Sequence, residues 1–143
     1  MTEKDPPKGW PRLVVAVNYQ EAGKAIDWLC KAFGFEVKLR VPGPDGKVAH
    51  AELVFGGGMI MTGDVGRQPW AKSPRELEGQ GTAAVGLFVD DVDAHCERAR
   101  AAGATITMEP KTTDYGQEYW ADRTYQATDL EGHHWWFLQR MRG

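Results

Sequence analysis

The sequence of 143 residues predicts an α+β fold: two βαβββ modules whose eight strands form one open, curled mixed sheet, with helices on its outer face. Three observations predict it. Apolar, β-rich runs and two helical periods occur in the order strand, helix, strand, strand, strand, twice over. The halves keep register at an offset of 69 residues, so that Gly34 matches Gly103, Ala25 matches Ala94, Glu21 matches Asp90, Ala16 matches Val85 and Val37 matches Ile106. Either half alone buries only a thin core, so both belong to one structural domain over 1–143. Within it, 12–65 is the first module, 66–81 a linker and 82–140 the second module.

Each element has its own reason. Met1 to Gly9 is polar, with Pro6 and Pro7, and reads as a loose lead-in. Arg12 to Tyr19 is almost continuously apolar and reads as an inner strand. Glu21 to Phe33 places Ala22, Ala25, Ile26, Leu29, Cys30 and Phe33 on one helical face, and Gly34 stops the helix. Phe35 to Val41 and Val48 to Phe55 are strands joined through Asp45-Gly46, a strong hairpin signal. Gly56 to Gly58 turns the chain into a fourth strand, Met59 to Thr62. Those glycines lie between strands, so they are no phosphate cradle ahead of a helix.

Arg67 to Gly81 has two prolines and no period, and reads as a linker packed over a surface by Trp70. Thr82 to Val89 is an apolar strand. Asp90 or Asp91 caps a helix from Val92 to Ala102, which Gly103 ends. Ala104 to Met108 is a strand and Pro110 to Trp120 a loop. Ala121 to Thr128 and His133 to Gln139 are the last two strands, joined by Asp129 to Gly132 as a type I turn with Asp first and Gly fourth. Alternation along the last strand puts His134 and Trp136 on one face and Trp135 and Phe137 on the other. Both faces are bulky, so both are expected to be covered, one by a helix.

Bulk composition excludes several classes. The chain is 42% hydrophobic and 26% charged, ordinary for a globular protein. Net charge is -3 with no basic run, which argues against nucleic acid as a partner. No apolar run reaches membrane-spanning length, and MTEKDPPKGWP lacks a secretory apolar core, so the expected location is the cytoplasm, with no membrane partner. Cys30 and Cys96 fall on the two helices and read as reduced core residues. There is no G-x-S-x-G, no phosphate-binding glycine loop and no CxxC, so no nucleophile-base-acid set is legible.

Four motifs in order, AIDWLCKAFGFEV, DGKVAHAELVFGG, VDDVDAHCERARAAGA and YQATDLEGHHWWF, resemble the vicinal oxygen chelate superfamily over Leu13 to Leu138. That superfamily includes glyoxalase I, bleomycin-resistance proteins and extradiol dioxygenases. The subgroup most similar is the small glyoxalase and bleomycin-resistance-like proteins. The resemblance implies a trough between the modules and homodimers. It also implies, for the metal enzymes, four ligand positions on strands. Those positions fall near Val14, near Ala84, within Met59 to Thr62 and at Trp136, and none carries a ligand for a hard or borderline divalent ion.

The candidate ligand-binding residues are His50, Glu52, Met61, Trp120, Arg123, Tyr125, His134 and Trp136. His50 and Glu52 share a strand face, where they line the trough or satisfy one another. His133 and His134 point opposite ways, so they cannot chelate one ion together. Trp136 is either an aromatic platform for a planar ligand or a plug that fills the trough. Met59 and Met61 make an adaptable wall or ordinary core. Tyr115, Tyr119 and Trp120 are a lid or surface packing. Arg123 and Tyr125 share a face; on the trough side Arg123 meets an anionic ligand group, and otherwise a surface carboxylate. The leading expectation is a non-enzymatic protein, without metal or other cofactor, that holds an aromatic or amphipathic small molecule, with resistance by sequestration as one version. The alternative is a metal-dependent lyase, isomerase or dioxygenase with relocated ligands His50, Glu52 and His134.

Overall fold

The computed structural model describes residues 4–143, so the first three residues of the lead-in lie outside the described residues. Eight strands and two α-helices follow in the order β-α-β-β-β, twice. The strands form two open four-stranded mixed sheets, an α+β architecture. The chain divides into two compact units, Met1–Cys30 with Gly34–Lys72, and Lys31–Phe33 with Ser73–Gly143.

In the first unit, β1 (Val15–Tyr19) runs parallel to β4 (Gly58–Asp64), and β4 is antiparallel to β3 (Val48–Phe55). β3 is antiparallel to β2 (Glu36–Pro42), so the order is β1-β4-β3-β2. β1 is therefore not an inner strand of this sheet. Its apolar run has only one buried face, Val17 and Tyr19, while Leu13 is 80% exposed. The helix α1 (Ala22–Phe33) buries Ala22, Ala25, Ile26 and Leu29, and Gly34 ends it at a φ of +87°. It covers the sheet face that carries Val17, Tyr19, Ala51 and Leu53; its Asp27 pairs with Arg40 of β2. Asp45 and Gly46 have φ of 56° and 74°, the left-handed pair of a type I′ hairpin turn, closed by Lys47 N–H donating to the Pro44 carbonyl. The opposite, helix-free face carries Ala16, Asn18, His50, Glu52 and Met61 by register.

In the second unit, β5 (Ala84–Phe88) runs parallel to β8 (His134–Arg142), which is antiparallel to β7 (Ala121–Thr128). β7 is antiparallel to β6 (Thr105–Asp114), giving the order β5-β8-β7-β6. β6 runs six residues beyond the expected strand end at Met108. Pro110 is accommodated because it lies at a register shift between Met108 and Lys111 on the terminal strand of the sheet. The linker also holds a 3-10 turn, Pro74–Leu77, whose Ser73 and Glu76 form a reciprocal capping box. The helix α2 (Val92–Ala101) is capped by Asp91, whose Oδ1 accepts from the Ala94 N–H at 3.0 Å. The last turn of α1 belongs to this unit: Phe33 packs 5.2 Å from Trp135 and 4.8 Å from Phe137, ring to ring.

The turn between β7 and β8 follows the expected pattern. Gly132 N–H donates to the Asp129 carbonyl, and Gly132 has a φ of +96°. Asp129 is the centre of it. One carboxylate oxygen accepts from the Glu131 and His133 N–H groups, and the other from Trp135 Nε1 at 3.0 Å. Trp135 and Phe137 are buried on the helix side, as alternation requires. The other face is not covered within this unit: Trp136 is 40% exposed and Phe88 58%.

Candidate functional site

The helix-free face of the first sheet holds a cleft of about 360 Å³. β1 contributes Ala16 and Asn18, β3 contributes His50, and β4 contributes Met61, with Ala16 and Met61 directly paired across the ladder. Arg67 and Trp70, from the segment after β4, make the rim. The floor is apolar because small and thioether side chains alternate with the buried Val17 and Thr62 of the helix side. The polar groups sit around it.

His50 and Glu52 stand two apart on β3, so they share this face. His50 Nε2 donates to Glu52 Oε2 at 3.0 Å. The Glu52 side chain is 7% exposed and that of His50 36%, so the carboxylate lies beneath the imidazole and the ring reaches the cleft. His50 Nδ1 is then an acceptor with no hydrogen-bond partner among the described residues. Asp64 also borders the cleft, but both its oxygens are engaged, by Ala22 N–H at 3.1 Å and Val48 N–H at 2.6 Å. Arg67 donates through Nη1 to the Ala49 carbonyl and pairs with no carboxylate among the described residues. Trp70 is 71% exposed, and its ring meets no aromatic ring or cation there. The expected packing of Trp70 over a surface is thus a position on the cleft rim.

The eight candidate residues fall into three groups. His50, Glu52 and Met61 lie together on the helix-free face of the first sheet. Trp120, His134 and Trp136 belong to the second unit; His134 and Trp136 stand on the helix-free side of β8. There Arg140 lies 5.0 Å over the Trp120 ring and 5.5 Å over Phe88, and is held by Asp122 at 2.6 Å. Trp120 is therefore tied to Arg140, with Tyr115 and Tyr119 around it at ring distances of 6.1 and 6.0 Å.

Arg123 and Tyr125 form the third group, and their face corrects the trough-side expectation. β7 pairs Tyr125 with Phe137 and Arg123 with Gln139, which puts both on the helix side. Arg123 forks onto Asp93 of α2 through Nε at 2.7 Å and Nη2 at 2.8 Å, the surface-carboxylate alternative. That pairing holds the Asp93 carboxyl below its ordinary range. Tyr125 is fully buried, and its hydroxyl meets His95 Nδ1 at 2.6 Å. Burial raises the Tyr125 phenol far above its ordinary value.

Asn18, Arg67 and Gln68 border the cleft without having been singled out from the sequence. Asn18 had a signal, as the one polar residue within the apolar run of β1. Arg67 had none, since a lone arginine after a strand is usually a solvated side chain.

The residues do not fit a resident divalent ion. At the positions where the resemblance sets ligands stand Met59 to Thr62 on β4, Ala84 on β5 and Trp136 on β8, with Val14 just before β1, and none is a His or a carboxylate. A thioether, an indole and alkyl groups do not hold such an ion. Among the described residues no three His, Cys, Asp or Glu side chains are grouped to hold one. Of the relocated set, His50 and Glu52 belong to the first unit and His134 to the second.

A pair of βαβββ modules with open sheets and a cleft on a helix-free face defines a small α+β protein of the paired-module type. Residues 13–137 match the Glyoxalase/Bleomycin resistance protein/Dioxygenase superfamily, and the chain belongs to it. Uncharacterized proteins of Mycobacterium bovis and Mycobacterium tuberculosis are 40% identical over 134 residues, which is 92% of this chain and 82% and 74% of theirs. The crystal structure of TioX from Micromonospora sp. ML1 superposes with a TM-score of 0.70 at 33% identity, covering 92% of this chain and 99% of that one. A V278E mutant of glyoxalase I from Zea mays shares the fold at a TM-score of 0.68 and 20% identity, covering 90% of this chain and 44% of that one. Among the described residues no helix is long and apolar enough to cross a membrane.

Proposed function

We propose that this protein binds a small, planar aromatic or amphipathic molecule in the cleft of its first unit, by burial and stacking rather than by metal coordination. One observation carries the reading: about 360 Å³ of space over an apolar floor of Ala16 and Met61, with His50, Arg67 and Trp70 around it. That volume suits a ligand of a few fused rings. Ligand pockets of this kind place a few polar groups on an apolar wall, which is how His50 and Arg67 stand here. The chemistry at the ligand positions supports a site without metal. Sequestration of a toxic compound in the cytoplasm is one use of such a site, and the working unit is proposed to be a homodimer.

The test is a titration with N-phenylnaphthylamine, a neutral aromatic probe that fluoresces on entering an apolar site. Saturable binding at one site per chain is expected. An Ala16→Phe substitution, which fills the floor, abolishes it, and Trp136→Ala leaves it intact. No saturable binding, or binding that survives Ala16→Phe in a folded variant, rejects the reading.

A further inference from the structure

We infer that the cleft selects ligands that carry an anionic group on the planar ring, a carboxylate above all, and that Arg67 and Trp70 read the two features. This deepens the proposed function and rests on it. The charges around the cleft argue for it. Both carboxylates are engaged inside the protein: Glu52 by His50 at 3.0 Å, and Asp64 by two backbone N–H groups. Arg67 is the cation at the rim, and no carboxylate among the described residues neutralises it. Its Nη1 faces the Ala49 carbonyl, and its other N–H groups are left to donate. An arginine fork with donors to spare matches a carboxylate in two parallel hydrogen bonds.

The second feature is Trp70. A tryptophan that is 71% exposed, three residues after the arginine and bordering the same cleft, offers a free ring face beside a free charge. A planar ring stacks on the indole while its carboxylate meets the guanidinium. His50 borders the same space with Nε2 committed to Glu52, so only Nδ1 is left to meet a polar group on the ring.

The experiment compares naphthoate with naphthamide, two probes of one shape that differ in charge, by titration calorimetry on the full chain. Naphthoate is expected to bind about tenfold or more tighter, the scale of one charge-assisted pair. Arg67→Gln abolishes that preference by weakening naphthoate far more than naphthamide, and Trp70→Ala weakens both probes alike. Arg67 is exposed, so the fold of its variant is secure and is checked by circular dichroism. Equal affinity for the two probes overturns the inference while the cleft reading stands. A naphthoate preference that survives Arg67→Gln also overturns it, by moving the anion contact elsewhere. Binding of neither probe removes the inference and the reading beneath it together.

Discussion

His95 shows how much one buried side chain decides. Its Nε2 meets the Phe33 carbonyl at 2.8 Å, so that nitrogen carries the proton, and Nδ1 accepts from the Tyr125 hydroxyl at 2.6 Å. Phe137 packs 4.4 Å from the ring. A second proton would desolvate a charge and turn an acceptor into a donor facing a donor. Burial, reinforced by the nearby Arg98, therefore holds the imidazole below its ordinary value of 6.5, against the opposing pull of the Phe33 carbonyl. Because the folded value is the lower one, the unfolded chain takes up the proton first as pH falls. The stability His95 contributes is full above pH 6.5 and is lost progressively below it. His95→Gln keeps an N–H for Phe33 and an acceptor for Tyr125 but cannot titrate. Urea midpoints measured at about pH 7.5 and about pH 5.5 should fall more steeply for the parent than for this variant; parallel slopes reject the assignment. Little of this was legible in the sequence. One parity of β7, Asp122, Thr124, Gln126 and Thr128, is wholly polar and the other mixes Ala121, Tyr125 and Ala127 with Arg123, so the charge of Arg123 obscured which face meets the helix. The pairing of Tyr125 with Phe137 chose it. Trp136 was different: its neighbours Trp135 and Phe137 needed the helix, and the choice of face followed.

At the scale of elements, the start of α1 depends on a strand. Glu21 stands at the N-cap position and makes no side-chain capping bond. Asp64, at the end of β4, does so instead, accepting from the first helical N–H, Ala22, while its other oxygen takes the Val48 N–H that begins β3. One buried carboxylate thus joins a helix start to two strands. Removing it leaves two buried donors without partners, each costing about 1–3 kcal/mol. Asp64→Ala is expected to lower unfolding stability by about 2–4 kcal/mol, and Asp64→Asn by less, because the amide oxygen keeps one acceptor. Chemical denaturation measures both, and an Asp64→Ala variant as stable as the parent would falsify this role. The helix itself was readable from its apolar spacing and Gly34, since both signals are local. Its cap was not, because the capping group lies 42 residues away. The extension of β6 was hidden for a related reason: a proline signals a loop until a bulge on a terminal strand accommodates it.

At the scale of the whole molecule, the doubled βαβββ plan was the most legible feature, because periodicity repeats where single motifs do not. Its register was legible only to within a residue. The offset of 69 pairs buried Ala25 with exposed Ala94, whereas one more residue pairs the buried faces, Ile26 with Cys96 and Leu29 with Ala99. Glycines at the helix ends favoured the shorter offset; burial favours the longer. The same limit governs the site. The strand alternation placed His50, Glu52 and Met61 together, while Arg67 and Trp70 came from a segment without period. The apolar surface leads to the last prediction. Leu39 and Val41, 44% and 38% exposed, stand on the helix-free side of β2, a terminal strand of its sheet. Phe88 and Trp136, 58% and 40% exposed, stand on the helix-free side of the second sheet. Exposed apolar side chains grouped on sheet faces and terminal strands favour association, and the proposed partner is a second copy. Sedimentation velocity at micromolar concentration should show a species of twice the chain mass. A Leu39→Glu or a Phe88→Glu substitution that yields monomer with unchanged circular dichroism identifies the sheet that pairs. A parent protein that sediments only as monomer removes the dimer, and leaves the cleft to work within one chain.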